Sequence, residues 1–224
     1  MEVSPILISL KTASLSIIVT FFLGIGAAYA VVRMRREKWK MVCDGILTLP
    51  LVLPPTVAGF FLLYIFGVKR PLGQFFLEFF GVKIAFSWGA TVLAAVVISF
   101  PLMYRSARGA FEQVDTNLLY AGRTLGMPEW RIFWKVWFPN AVSGILSGGI
   151  LAFARGLGEF GATAMIAGNI AGKTRTLPLA VYSNVSAGDM QGAYRYVIIL
   201  VVISFLVVTG MNYVTHVFQK YNRR

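Results

Sequence analysis

From about Ile6 to Val32 the chain carries a single charged residue, Lys11, across a stretch long enough to cross a bilayer as an α-helix. Further apolar runs recur at about 42–66, 84–104, 141–167 and 196–217, so the sequence is organised around membrane crossings rather than one water-soluble core. Composition agrees, since 57% of the 224 residues are hydrophobic and 13% are charged. The formal charge of +12 would suit nucleic acid, but the basic residues are interleaved with segments that need lipid, which makes anionic headgroups their counterpart. The single Cys43 excludes an internal disulfide. The first run lacks a basic leader and a convincing cleavage site, and reads as a retained span rather than a signal peptide.

Charge sets the expected orientation. Five basic residues cluster between Arg33 and Lys40, immediately after the first run, and belong in the cytoplasm. Thirteen of the 21 basic residues fall in this loop, in a central loop at 105–142 and in a tail ending in Lys220, Arg223 and Arg224. The expectation is an all-α integral membrane protein, a single domain over residues 1–224. It has about five transmembrane helices, an external N-terminus and a cytoplasmic C-terminus. A sixth crossing through Thr176 to Ala187 would put the central loop or the tail on the unfavoured side. Residues 169–194 are therefore expected as an external re-entrant or surface segment, where Lys173 and Arg175 can meet a delivery protein, an arriving anion or only solvent. His216 has no metal-ligand company near it.

Two places inside the apolar runs are candidates for a translocation route. Pro50, Pro54 and Pro55 remove backbone donors from the second run, which predicts a helix kinked or broken near its cytoplasmic end. Broken helices persist in membranes only where protein or water covers the freed backbone. Pro50 to Gly59 thus either lines a route, with Thr56 supplying a hydroxyl, or packs as a kinked helix. The fourth run carries Arg155 and Glu159 four residues apart, a spacing that lets them face each other on a helix. The pair either braces the fold or a gate, or Arg155 raises the positive potential for an anionic substrate. Gly67 to Lys83 reads as a short external connection, and the third span runs from about Ile84 to Tyr104.

The central loop, 105–142, holds the longest amphipathic interruption, Leu118 to Asn140. Trp130, Phe133, Trp134, Trp137 and Phe138 recur at helical spacing there, with Arg131 and Lys135 on another face. Gly126 permits a left-handed turn, Pro128 fits a first helical turn, and Pro139 with Asn140 closes the segment. This is either a membrane-surface helix joining two spans or a surface for a partner. No phosphate-binding loop, metal cluster or activated nucleophile is present in the sequence. Gly156 to Ala162 is glycine-rich but lacks the lysine followed by Ser or Thr. Energy for pumping must come from another chain or an ion gradient. An odd number of spans in a small chain suggests a second copy, with the solute route between the two.

Ala121, Gly122, Gly126, Val136, Phe138 and Pro139 match the cytoplasmic signature of the permease subunits of binding-protein-dependent ABC importers, and the chain resembles that family along nearly its whole length. Tyr120 stands where the signature usually has an acid. Within the family, LPLVLPPTVAG from Leu49 and LGEFGATAMIAGNIAGKTRTLPLAVY from Leu157 are most similar to the molybdate permeases, with sulfate or thiosulfate permeases next. The resemblance implies a type I permease fold with a coupling helix that sits on a cytoplasmic ATPase. Its aromatic face, Trp130, Phe133, Trp134 and Phe138, would supply the anchor, with Arg131 and Lys135 steering. It also implies a homodimer in the cytoplasmic membrane, two copies of the ATPase and an external molybdate-binding protein. ATP and Mg2+ would be held by the ATPase, and no cofactor by this chain.

Overall fold

A computed structural model describes backbone residues 2–222, with side chains through Tyr213 and that of Thr215. The expectations for the side chains of His216 and Lys220, and for Arg223 and Arg224, lie outside what is described. The described residues form helices α1 (Ser4–Val32), α2 (Glu37–Val52), α3 (Pro55–Phe66), α4 (Pro71–Phe80), α5 (Trp88–Glu112) and α6 (Thr116–Thr124). They continue as α7 (Glu129–Ile132), a π-helical turn (Phe133–Trp137), α8 (Phe138–Leu157), α9 (Gly161–Ile166), α10 (Leu177–Ser186) and α11 (Met190–Asn222). Pro5, Pro55, Pro71 and Pro178 all sit in first turns, where the missing N–H has no intrahelical partner to lose.

Among the described residues four helical stretches are long and apolar enough to cross a membrane: Ser4–Val32, Trp88–Glu112, Glu129–Leu157 and Met190–Tyr213. Counting the bent pair of α2 and α3 as one span gives five, the expected number. α1, α5 and α8 pack together as the centre of the bundle, with α2 along α5, α3 against α9, and α10 and α11 together on the far flank. Where α1 meets α5 the contact is made by small residues and hydroxyls. Thr12 and Thr91 lie 2.8 Å apart, Thr20 and Ser99 3.2 Å, and Gly24 faces Met103 so closely that a Cβ there would come within 2.6 Å of its side chain. Lipid tails offer helices no hydrophobic drive to associate, so close backbones and interhelical hydrogen bonds take over. Gly26, by contrast, has open space around it within the chain.

The larger buried cluster lies toward the basic end of the bundle, around Val31, Met103, Tyr104, Phe111, Ile132, Trp137 and Ile145. There α2 is tied to α5 by charge. The Tyr104 hydroxyl donates to Asp44 at 3.0 Å, Arg108 pairs with both Asp44 and Glu112, and Lys40 reaches Glu112 at 3.1 Å. Along α11 one face, with Ile198, Val201, Val202, Phe205 and Leu206, is exposed as on a helix facing lipid, while Leu200, Ile203 and Val207 pack inward.

Several boundaries differ from those read in the sequence, each for a physical reason. The second run breaks by 110°, after sixteen residues of helix rather than near its cytoplasmic end. Pro50 is accommodated inside α2, whereas the Pro54–Pro55 pair forces Leu53 and Pro54 into extended backbone. The connection at Gly67 to Lys83 contains α4, whose phenylalanines form a contiguous aromatic cluster. α5 passes through Pro101 and carries Arg105 and Arg108 on to Glu112, so the central segment begins as helix. The fourth run ends at Leu157, and Glu159 lies in a break before α9. α10 has ten residues, about 15 Å of helix, and so falls short of a crossing.

Candidate functional site

At the basic end the chain turns away from α5 through α6. Asp115 caps α6 by accepting from the Asn117 N–H at 2.9 Å, and Gly126 closes it with φ +72°. The Met127 N–H bonds the Gly122 carbonyl at 3.1 Å and the Gly126 N–H that of Arg123 at 2.9 Å, the paired bonds of a left-handed helix terminus. Nothing within the chain occupies the space where a Gly126 Cβ would go, so the constraint the chain itself places on this residue is its backbone. Gly126→Val should therefore cost about 1–2 kcal/mol, while Gly126→Asn should cost much less. Thermal unfolding of the two variants in detergent checks this, and equal midpoints would refute it. Gly122 is tight against Ile132, whose side chain a Cβ would meet at 3.2 Å, which sets α6 on α7.

The aromatic face does not act as one surface. Phe133 and Trp137 turn inward, stacking edge-on against Tyr29 at 4.7 and 5.4 Å, and the Trp137 indole donates to the Phe111 carbonyl at 3.0 Å. Val136 and Phe138 are half-buried on the same cluster. The π-helical turn produces this division. Pro139 has no N–H for the Lys135 carbonyl and its ring needs room, so the preceding turn widens, with the Phe138 N–H reaching back to Phe133. Asn140 then donates its side chain to the Val136 carbonyl at 2.6 Å. Left outside are Trp130 at 63% and Trp134 at 59% exposure, along with Ala121, Arg131, Lys135 and Pro139.

Sequence reasoning missed the residues that α6 itself presents. Leu118, Tyr120 and Leu125 are exposed, the last at 80%. Arg123 bonds Glu129 through both ends of its fork, at 2.8 and 3.4 Å, and lies over the Tyr120 ring. Bonding to Glu129 holds the Arg123 guanidinium above its ordinary pKa. The signal was available: Asp115 and Gly126 have the residue types and separation of a helix start and stop.

The second candidate region is the break between α8 and α9. Glu159 is 2% exposed and makes two contacts. Its Oε1 accepts from the Ala162 N–H at 2.8 Å, capping the first turn of α9. Its Oε2 lies 2.8 Å from Arg155 Nη1, an ion pair by distance whose angle is too oblique for a hydrogen bond. The Arg155 side chain keeps 33% exposure, so the pair joins a buried acid to a half-open base. The α2–α3 break comes alongside. A Cβ on Gly161 would meet Pro55 Cβ at 3.0 Å and the Thr56 nitrogen at 3.2 Å. Pro55 and Thr56 are thus brought within two residues of Glu159 along α9, next to the exposed Pro54, while Pro50 stays on the other side of the bend inside α2.

A family model described as the binding-protein-dependent transport system inner membrane component matches residues 20–222. The molybdenum transport system permease protein ModB of Escherichia coli strain K12 is 44% identical, over 92% of this chain and 90% of its own length. The probable sulfate transport system permease protein cysT of Chlorokybus atmophyticus is 31% identical over 98% of this chain and 76% of its own length. Among solved structures, the inward-facing MetNI methionine ABC transporter superposes with a TM-score of 0.76 at 17% identity, covering 96% of this chain and 95% of that one. That likeness fixes the fold as that of an ABC importer permease.

Proposed function

Since this chain belongs to the family of binding-protein-dependent transport system inner membrane components, we propose that it is the permease subunit of an ATP-driven molybdate importer. It works in the cytoplasmic membrane as a multi-pass protein, and tungstate, a tetrahedral dianion of nearly the same size, is a second substrate. The observation that carries the substrate is the 44% identity to the E. coli molybdenum permease, against 31% for the sulfate permease over a similar share of the chain.

In this reading two copies enclose the anion route and open it alternately to each side. Hydrolysis takes place on two cytoplasmic ATP-binding subunits that hold ATP and Mg2+, and an external binding protein delivers the anion. The docking face for the ATPase is α6 with the residues just after it: exposed Tyr120, Leu125, Trp130 and Trp134 supply apolar anchors, and Arg131 and Lys135 supply steering. Exposed tryptophans beside a capped, glycine-ended helix suit a protein partner better than a helix lying flat in headgroups, because Arg123 and Glu129 share that surface. The paired breaks at Pro54–Pro55 and Gly158–Phe160 are the mobile part of the wall. Arg155 and Glu159 brace it, and the exposed Thr56 would supply a hydroxyl to the route.

Reconstitution tests the assignment. The chain with its ATPase and binding protein should accumulate labelled molybdate on ATP addition, tungstate should compete, and sulfate in similar excess should compete poorly. Efficient sulfate accumulation would move the assignment to the sulfate permeases. Uptake that needs no ATPase and collapses with the ion gradient would exclude an ABC importer.

A further inference from the structure

A continuous polar chain runs from the core of α1 to the exposed face of α6. Tyr29 is wedged among Phe111, Phe133 and Trp137, and its hydroxyl accepts from Arg33 Nη1 at 2.6 Å. Arg33 Nη2 lies 3.5 Å from Glu129 Oε2, the carboxylate takes both ends of the Arg123 fork, and the Arg123 guanidinium lies 5.6 Å from the centre of the Tyr120 ring. Glu129 is the acid common to both arginines. Direct backbone packing of α6 is sparse and is made mainly with α7 and the π-helical turn that follows it. Without this carboxylate, two arginines about 40% exposed would face each other across the gap between α1 and α6.

We propose that Glu129 is a positioning residue that ties the ATPase-facing helix α6 to α1, so that a displacement imposed on α6 is delivered to α1 as well as to α8. The delivery to transport rests on the function proposed above; the tie itself does not. A hinge at the π-helical turn lets α6 and α7 swing against α8, and the second attachment, through Arg33, converts the swing into a push on α1. A single attachment would dissipate much of that motion at the widened turn. Because each pair is partly exposed, it contributes little to global stability, and its removal acts on the coupling of elements rather than on folding.

The test has two arms. In the purified permease alone, Glu129→Gln should speed hydrogen exchange of the amides in 116–124 by about threefold to fivefold, leaving α5 and the body of α8 unchanged. In the reconstituted complex, with the ATPase at saturating concentration, molybdate taken up per ATP hydrolysed should fall roughly fivefold in the same variant. Glu129→Asp, which keeps the charge, should restore that ratio to within about twofold. Unchanged exchange over 116–124 in Glu129→Gln overturns the tie. Faster exchange with an unchanged uptake ratio overturns its role in coupling, and so does a Glu129→Asp ratio as low as that of Glu129→Gln. If the unaltered complex itself fails to transport, the proposed function has failed, and the exchange arm still decides the tie.

Discussion

Glu159→Ala should be the most damaging single truncation of a charged side chain among the described residues, lowering stability by about 3 kcal/mol. Two losses add. The α9 first turn gives up the acceptor that Ala162 uses, a cap worth about 1 kcal/mol. Arg155 is left without its carboxylate, and breaking a buried ion pair costs about 3–5 kcal/mol, reduced here because the arginine keeps one-third of its side chain exposed. Glu159→Gln separates the two contributions. Its amide oxygen can still accept from Ala162 while the charge is gone, so its cost should fall between those of the native protein and the alanine variant. A double variant, Arg155→Met with Glu159→Gln, should be more stable than Glu159→Ala, since no uncompensated charge remains. Tryptophan-monitored unfolding in detergent reads all three. A midpoint for Glu159→Ala equal to that of the native chain would show that the pair contributes nothing. In the proposed importer, where the pair is assigned to brace the break beside the α2–α3 bend, transport should fall in the same order.

This site also shows what the sequence made legible and what it did not. The four-residue spacing of Arg155 and Glu159 gave the pair correctly, since a helix and the helix-plus-cap actually present both bring such residues together. It could not show that the helix stops at Leu157. The apolar content continues through α9, and the interruption depends on how α9 packs against α3. The proline break was legible in kind because its cause is local, whereas its place and its 110° depend on which proline the bundle can absorb. The same division runs through the basic end. The end of α6 at Gly126 is local chemistry and could be read. The inward turn of Phe133 and Trp137 depends on Tyr29 and Phe111, more than a hundred and about twenty residues away, and periodicity alone assigns both faces of such a helix equally well. Glu129 was passed over because its partners, Arg33 and Arg123, are distant or off the helical register.

Gly59→Val should separate α3 from α9 and cost about 3 kcal/mol, more than Gly126→Val, although both replace glycine by the same residue. The reason lies in what surrounds each position. A Cβ on Gly59 would stand 2.6 Å from the Ala162 Cα and 2.8 Å from its carbonyl oxygen, which are backbone atoms that no change of rotamer can move aside. Only translation of one short helix from the other relieves the clash, and that exposes Ala58, Leu62, Ala162 and Ile166 together. Trimming the neighbour does not help, so Ala162→Gly should fail to rescue Gly59→Val; this distinguishes backbone contact from side-chain crowding. Gly148 is the useful comparison, because its Cβ would meet the Ser106 side chain at 2.4 Å, and Ser106→Gly should partly rescue Gly148→Ala. Movement of α3 also shifts Pro55 and Thr56 from Gly161, next to the Arg155–Glu159 pair at the α8–α9 break. Uptake should therefore fall further in Gly59→Val than the loss of folded protein accounts for. Fluorescence unfolding together with uptake per folded complex measures both effects, and a Gly59→Val permease of native stability and uptake would refute close packing of these two half-helices.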